Sequence, residues 1–345
     1  MPSHSPMPRL SMLDLVTVRQ GQSISAAIDT AVRTAQHVER LGFVRYWMAE
    51  HHNMPGIASS ATAVLIGHVA GQTTRIRVGA GGIMLPNHAP LVVAEAFGTL
   101  QAIYPGRIDL GLGRAPGTDQ PTMRALRRGR VESEEDFPRE VQQLQQLLDD
   151  PRPGQALVAT PGAGSHVPIW LLGSSLFSAQ LAGQLGLPYA FASHFAPRLL
   201  HQALQLYRST FRPSPALQRP YAMIGVPVVA AASDAQAEYL ASSTYQRILG
   251  ILTNQRGLMQ PPVQGFMAQL DERARQAIRD FLAIGLIGGP QTVQQGLQTL
   301  AAATQADEFM LVTDTFELAA RLQSLDIAAA AWAAAAAASG LSPRS

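Results

Sequence analysis

The chain has 345 residues, 47% of them hydrophobic and 14% charged, with a net charge of +2, a globular balance that needs no disulfide or metal staple. It contains no cysteine and no lysine, all 26 basic residues being arginine. That excludes disulfides, thiolate metal centres, thiol nucleophiles, Schiff-base and pyridoxal phosphate enzymes and the P-loop lysine, and so small a net charge gives nucleic-acid binding little support.

Residues 1–8 are polar and rich in Pro and Ser without an apolar centre, so no secretory signal is expected and the protein is expected to be cytoplasmic. The first strand is predicted over Leu10–Val18. A helix over Ser23–Leu41 follows, opened by a capping serine and carrying Ile24, Ala27, Ile28, Ala31, Val38 and Leu41 at helical spacing. The segment between them, Thr17–Gly21, is no Gly-rich dinucleotide loop, which argues against an open doubly wound sheet.

The second strand, Phe43–Ala49, runs into Glu50-His51-His52-Asn53. Two histidines at a strand end are either a hydrogen-bonded loop pair or part of a site. A metal-dependent barrel hydrolase built on His51, His52, His88 and His194 is a remote alternative. It lacks an H-E-x-x-H motif and a clear carboxylate ligand set, so no metal is expected. A helix over Ser60–Gly71 comes next.

The third strand, Ile76–Leu85, contains Gly79, Gly81 and Gly82 and ends before Pro86-Asn87-His88. Glycine weakens a strand interior. The cluster therefore implies a backbone bent to admit a flat ligand, an unusual peptide geometry, or a kink for helix packing. After a helix over Leu91–Ile103, the fourth strand, Ile108–Gly113, ends at Arg114, a cation suited to phosphate or carboxylate. The basic run Arg124–Arg130 and the acidic residues Glu132–Asp136 read as a solvated segment leading to a helix over Glu140–Leu148.

The fifth strand, Ile169–Leu172, leads through Gly173 to Ser174, Ser175 and Ser178 at the start of a helix over Ser174–Leu185. Free N–H groups and hydroxyls there bind phosphate without lysine, although the same serines serve as caps. The sixth strand, Tyr189–Ala192, ends at Ser193-His194-Phe195. Helix Pro197–Phe211, strand Ala222–Ala230, helix Asp234–Leu249, helix Thr292–Ala303 and strand Glu308–Thr313 complete the series. The Ala-rich stretch Ile327–Ala338 is too short to span a membrane and reads as a terminal helix.

Eight strands alternating with helices imply parallel strands and right-handed crossovers, hence a closed (β/α)8 TIM barrel. Long inserts at Arg114–Pro138 and Leu249–Ala274 would then build its C-terminal mouth. The expected organisation is a single barrel domain over residues 9–326, with extensions at 1–8 and 327–345. Arg114 and the serines after the fifth strand would converge on one phosphate, because the fourth and fifth strands are neighbours.

At this point several segments resemble the bacterial luciferase-like flavin monooxygenases, and more closely their stand-alone, single-subunit members. They are Ala49–Asn53, Arg77–Pro86, Tyr104–Arg114, Leu172–Ser175 and Ile287–Pro290, in the family's order and spread over roughly residues 10–320. The resemblance implies a barrel binding reduced FMN at its mouth. It implies a non-proline cis peptide at Gly81–Gly82 beneath the flavin ring and a phosphate site on Arg114 and Ser174–Ser178; His194, a mouth residue by its place after the sixth strand, is either a structural or a cofactor-binding residue. The family's catalytic histidine falls on His51, as a general base or hydrogen-bonding group beside the flavin. Gly173, Phe177 and Gly113 depart from luciferase itself, which puts aldehyde oxidation and light emission in doubt. No nicotinamide fingerprint is present, so a separate NAD(P)H flavin reductase is the expected source of reduced FMN. A small organic substrate, dioxygen and a homodimer formed through the second and third helices are expected too. Competing readings are a flavin-binding protein without turnover and a deazaflavin-dependent hydride-transfer oxidoreductase.

Overall fold

Every one of the eight expected strands forms, and each lies parallel to its neighbours. They are β1 (Arg9–Asp14), β2 (Arg45–Met48), β3 (Arg77–Met84), β4 (Ile108–Gly113), β5 (Ile169–Gly173), β6 (Tyr189–Phe191), β7 (Ala222–Ala230) and β9 (Glu308–Val312). The computed structural model describes residues 7–115, 120–127 and 136–338. The strand order is β6-β5-β4-β3-β2-β1-β9-β7, and β6 also pairs with β7, which closes the barrel. The ninth strand, β8 (Leu286–Gly288), was not expected. It pairs only with Val228–Ala230, the outer end of β7, and so stands outside the barrel. Three residues carry too little alternation to signal a strand.

The helices are α1 (Ile24–Arg40), α2 (Thr62–Gly71), α3 (Pro90–Ile103), α4 (Gln120–Arg127), α5 (Phe137–Leu148), α6 (Leu176–Leu185), α7 (Leu200–Thr210), α8 (Asp234–Leu252), α9 (Phe266–Gln269), α10 (Glu272–Phe281), α11 (Pro290–Thr304) and α12 (Leu318–Ala338). Ser23, Ser233 and Asp271 cap α1, α8 and α10 by accepting from the backbone three residues on. Helices α4 and α9 lie within the two long inserts, and α10 begins at the end of the second and runs beyond it. The basic run is partly helical, with Arg124 exposed on α4, and residues 128–135 lie outside the described set. The terminal helix begins at Leu318, ahead of the Ala-rich stretch, and crosses position 326 without a break. Leu325, Ala328, Ala331 and Ala335 are buried at helical spacing along it, so alanine here is a packing face.

The bore is filled from the bottom upward. At its base Arg45 donates to Glu308 Oε1 and to Asp109 Oδ2, both at 2.7 Å. Tyr221 donates to Glu308 Oε2 at 2.8 Å, and Arg77 Nη2 lies 2.6 Å from Asp109 Oδ1. Above this sits an apolar plug of Leu13, Trp47, Trp170, Ala190, Met223 and Met310. The two indoles meet edge to face at 5.2 Å, and the Arg45 guanidinium lies 4.7 Å from the Trp170 ring. A Cβ on Gly79 would stand 2.9 Å from Trp47 Nε1, and one on Gly81 would stand 2.6 Å from Leu13 Cδ1. Gly81 thus makes room for the plug, and Gly79 makes room both for the Trp47 indole and for Asp109 of β4, whose carbonyl oxygen would stand 2.5 Å from its Cβ. Plugged below, the barrel is open to ligand only at the C-terminal ends of its strands.

Candidate active site

The peptide between Gly81 and Gly82 is cis, as the resemblance implies. At that point the β3–β4 register slips: Ala80 faces Leu110, while Ile83 faces Leu112. A Cβ on Gly82 would come within 2.6 Å of the Gly111 carbonyl oxygen. No side chain of either glycine rises from this stretch, so the mouth has bare backbone on its β3 side.

The segment after β2 folds onto it. Glu50 N–H donates to Gly82 O at 3.4 Å. The Glu50 carboxylate is buried, and its Oε1 lies 2.9 Å from both His52 Nε2 and His88 Nε2, while Oε2 accepts from Met84 N–H at 3.2 Å. Burial works to raise the Glu50 pKa, but the hydrogen bonds and charge of His88, with His52 and Met84, bring it below the usual glutamate value. Glu50 thus holds His52, and His51 between them is half-buried.

The histidines therefore divide. His52 and His88 gather on Glu50, their ligand atoms within 4.8 Å of one another, so a carboxylate stands between two of the four histidines considered for a metal. His51 and His194 do not join that group. His194 is half-buried after β6, and its Nδ1 is buried without a hydrogen-bond partner against Gly225 of β7. Burial pushes its pKa down to about 3, with further lowering from the charges of Arg247 and His51. His194 is consequently neutral near neutral pH.

Between those two groups, at the ends of β4 and β5, the Arg114 guanidinium lies over the Phe177 ring, 4.5 Å from its centroid. Phe177 is in the first turn of α6, whose N-cap Ser175 makes no side-chain cap bond. The stacking sets a cation beside free helix N–H groups, which is a place for an anion. Ser174 and Ser175 are half-buried there, whereas Ser178 is buried and donates to Ser175 O at 2.9 Å. Ser178 thus braces the turn. A Cβ on Gly173 would clash with Ser178 Cβ at 2.7 Å, so glycine at 173 follows from that packing.

A second feature of the mouth is an ionic network that the sequence did not signal. Arg321 of α12 lies 3.1 Å from Asp14 at the end of β1. Asp314, after β9, lies 3.5 Å from Arg19 and 3.5 Å from Arg247 of α8. Burial opposes ionisation of Asp14, yet Arg321, Tyr46 and Val16 N–H together lower its pKa. Next to Asp14, Val16 adopts φ 52°, a strained conformation for a β-branched residue. Asp14 with Arg321 and Asp314 with Arg19 span nearly the whole chain and meet only because the barrel closes between β1 and β9, whereas Arg247 reaches Asp314 from α8, after the neighbouring β7.

The sequence profile of the luciferase-like monooxygenases matches residues 9–308. The chain is 50% identical to the uncharacterized protein YvbT of Bacillus subtilis (strain 168), over 94% of this chain and 96% of that protein. It is 48% identical to a luciferase-like monooxygenase of Escherichia coli (strain K12), over 92% of this chain and 95% of that one. Among solved structures, apo-MsnO8 superposes with a TM-score of 0.84 at 32% identity, covering 98% of this chain and 100% of the other. Structures that share the fold at 18% and 14% identity include a monooxygenase component in complex with FMN and an F420-dependent alcohol dehydrogenase. No helix among the described residues is long and apolar enough to cross a membrane.

Proposed function

The chain belongs to the luciferase-like monooxygenase family, and from that premise we propose that it is a flavin-dependent oxidoreductase that uses reduced FMN and dioxygen on a small organic substrate. The observation that carries this reading is Arg114 stacked at 4.5 Å on Phe177, which presents a guanidinium at the start of α6. A terminal phosphate fits that seat: one fixed cation, free helix N–H groups, and the Ser174 and Ser175 hydroxyls. The bare Gly81–Gly82 backbone two strands away suits a flat ring system, since no Cβ stands in its way.

Bound reduced flavin would supply the electrons that activate dioxygen. The chain's own residues bind, orient and handle protons. Arg114, Ser174 and Ser175 hold the phosphate, and Ser178 holds Ser175 in place. His51 is the proton-handling group, because His194 stays neutral and the other two histidines are committed to Glu50. Glu50 positions His51 by tying down the residues on both sides of the loop. His194 contributes a neutral polar contact at the cofactor site. A separate NAD(P)H flavin reductase supplies the reduced cofactor. Two chains associate through α2 and α3, where Val64, Val92 and Ile103 are 72%, 58% and 59% exposed.

Anaerobic titration of the purified chain with oxidised and reduced FMN, followed by absorbance and fluorescence, tests the reading. Binding of reduced FMN that is lost in Arg114→Ala supports it. Absence of binding in both redox states overturns it and directs the same titration to the deazaflavin coenzyme.

A further inference from the structure

The loops after β2 and β3 deliver three ligand-type atoms to one point. Glu50 and His52 come from the first, where Asn53 at φ 53° turns the chain directly after His52. His88 comes from the second, behind the single turn Leu85–Asn87, whose Leu85 O accepts from His88 N–H at 2.9 Å. Glu50 Oε1 stands 2.9 Å from both Nε2 atoms, and the three ligand atoms all lie within 4.8 Å of one another. The Glu50 side chain is 1% exposed, against 17% for His52 and 31% for His88. The carboxylate is therefore enclosed, while the imidazoles keep contact with solvent and with any small ion in it.

An ionised carboxylate only accepts, so both imidazoles turn Nε2–H toward a single oxygen atom. Moving each ring proton to Nδ1 leaves two nitrogen lone pairs aimed where the carboxylate oxygen already points, with no proton gained or lost. Bonds from a divalent ion to imidazole nitrogen or carboxylate oxygen are about 2.0–2.2 Å, which sets neighbouring ligands roughly 3.0–3.4 Å apart. The 2.9 Å separations therefore lie close to what coordination requires. Met84 N–H fixes the other oxygen, Oε2, at 3.2 Å, the kind of outer support that orients a metal-bound carboxylate. Two imidazoles and one carboxylate suit ions such as zinc and nickel, whereas magnesium and calcium favour oxygen ligands alone. His51 and His194 stay outside this set. Among the described residues one other group has metal-ligand spacing, Asp149, Asp150 and His166, and all three are exposed.

We propose that Glu50, His52 and His88 bind one divalent transition-metal ion of the zinc type, through Nε2 of both histidines and the Glu50 carboxylate, with water in the remaining positions. The ion replaces a hydrogen-bonded clamp with coordinate bonds. It locks the loops after β2 and β3 together and fixes both chain neighbours of His51. The site does not depend on the flavin reading.

Equilibrium dialysis of the full chain against Zn2+ and Ni2+, with metal analysis and thermal melts, tests it. One ion per chain is expected, held against an excess of Mg2+ and raising Tm. His52→Gln and His88→Gln should each weaken binding at least about 100-fold, since even an outer partner of a metal site is worth up to that much. Each should also abolish the rise in Tm, and His166→Ala should change neither. Co2+ in place of Zn2+ should give visible absorption bands that vanish in His88→Gln. No bound ion, displacement by Mg2+, or undiminished binding in a folded His52→Gln or His88→Gln variant would overturn the proposal. So would binding lost in His166→Ala, which places the ion on the exposed cluster. The two histidine variants are separate tests, so one stands if the other does not fold.

Discussion

His88 Nε2 lies 2.9 Å from Glu50 Oε1, which fastens the loop after β3 to the residue preceding His51. The same oxygen faces His52, and Met84 N–H takes the other one. Removing the carboxylate in Glu50→Ala strands three donors at once. The expected cost is about 3 kcal/mol of unfolding free energy, with turnover lost and reduced-FMN affinity within a few-fold of normal. Denaturant melts together with a flavin titration check it. Loss of flavin binding in a folded variant would show that Glu50 serves the cofactor and not His51.

His194 carries a specific pH signature. Its ordinary value is 6.5 and in the fold it is pushed down to about 3. Between those values the unfolded chain takes up a proton that the folded chain refuses. The contribution to stability is therefore full above the ordinary value and is lost as pH falls through that window, by at most about 1.4 kcal/mol per pH unit. Glu50, Asp14 and Asp109 have values lowered from 4.5, 3.8 and 3.8, so their contribution starts to be lost only in the lower part of that window and continues at more acid pH. His194→Gln should flatten the stability curve between pH 4 and 6 (about the middle of that window); an unchanged slope would sink the assignment.

Arg114→Ala should weaken reduced-FMN binding by roughly 100-fold, the scale of a lost charge-assisted contact. Phe177→Ala, which removes only the surface on which the guanidinium rests, should cost less, on the order of threefold to tenfold. Reversal of that ranking in a fluorescence titration would displace the phosphate from this seat.

The base of the bore supplies a stability test independent of ligand. Arg45→Met leaves Asp109 with Arg77 alone and Glu308 without its cation. Breaking one side of a buried pair costs about 3–5 kcal/mol, read as a fall in Tm, and the far end of the barrel should bind FMN as before where the chain remains folded.

Val92→Arg, on the exposed face of α3, places a charge in the proposed contact between chains. Sedimentation velocity should report monomers for the variant and dimers for the natural chain. Monomers in both would remove α2 and α3 as the contact.

The barrel was legible because strand and helix alternate with clear spacing, and Ile108–Gly113 and Ala222–Ala230 form with the expected bounds. β1 runs shorter than its apolar stretch, ending at Asp14 because Asp14 accepts from Val16 N–H at 2.8 Å and turns the chain. The histidine pair after β2 and the glycines of β3 were also visible. Their division of labour was not: nothing in Glu50-His51-His52 says that Glu50 and His52 belong to a clamp with His88. The glycine cluster by itself implies a flat ligand, an unusual peptide geometry or a kink, and the structure adds the Trp47 indole and the Asp109 backbone as reasons for Gly79.

Residue order and chemistry alone determined that this chain closes eight parallel strands, works without thiol or amine nucleophiles, and concentrates its polar loops at one end. Those follow from periodicity and composition, which are local properties. Which charges meet there was decided only by closure. Asp14 pairs with Arg321 at 3.1 Å across nearly the whole chain, and Asp314 draws Arg19 and Arg247 together because β9 docks between β1 and β7. Contacts of that kind depend on where strand ends fall around a ring, and no spacing in the sequence encodes them.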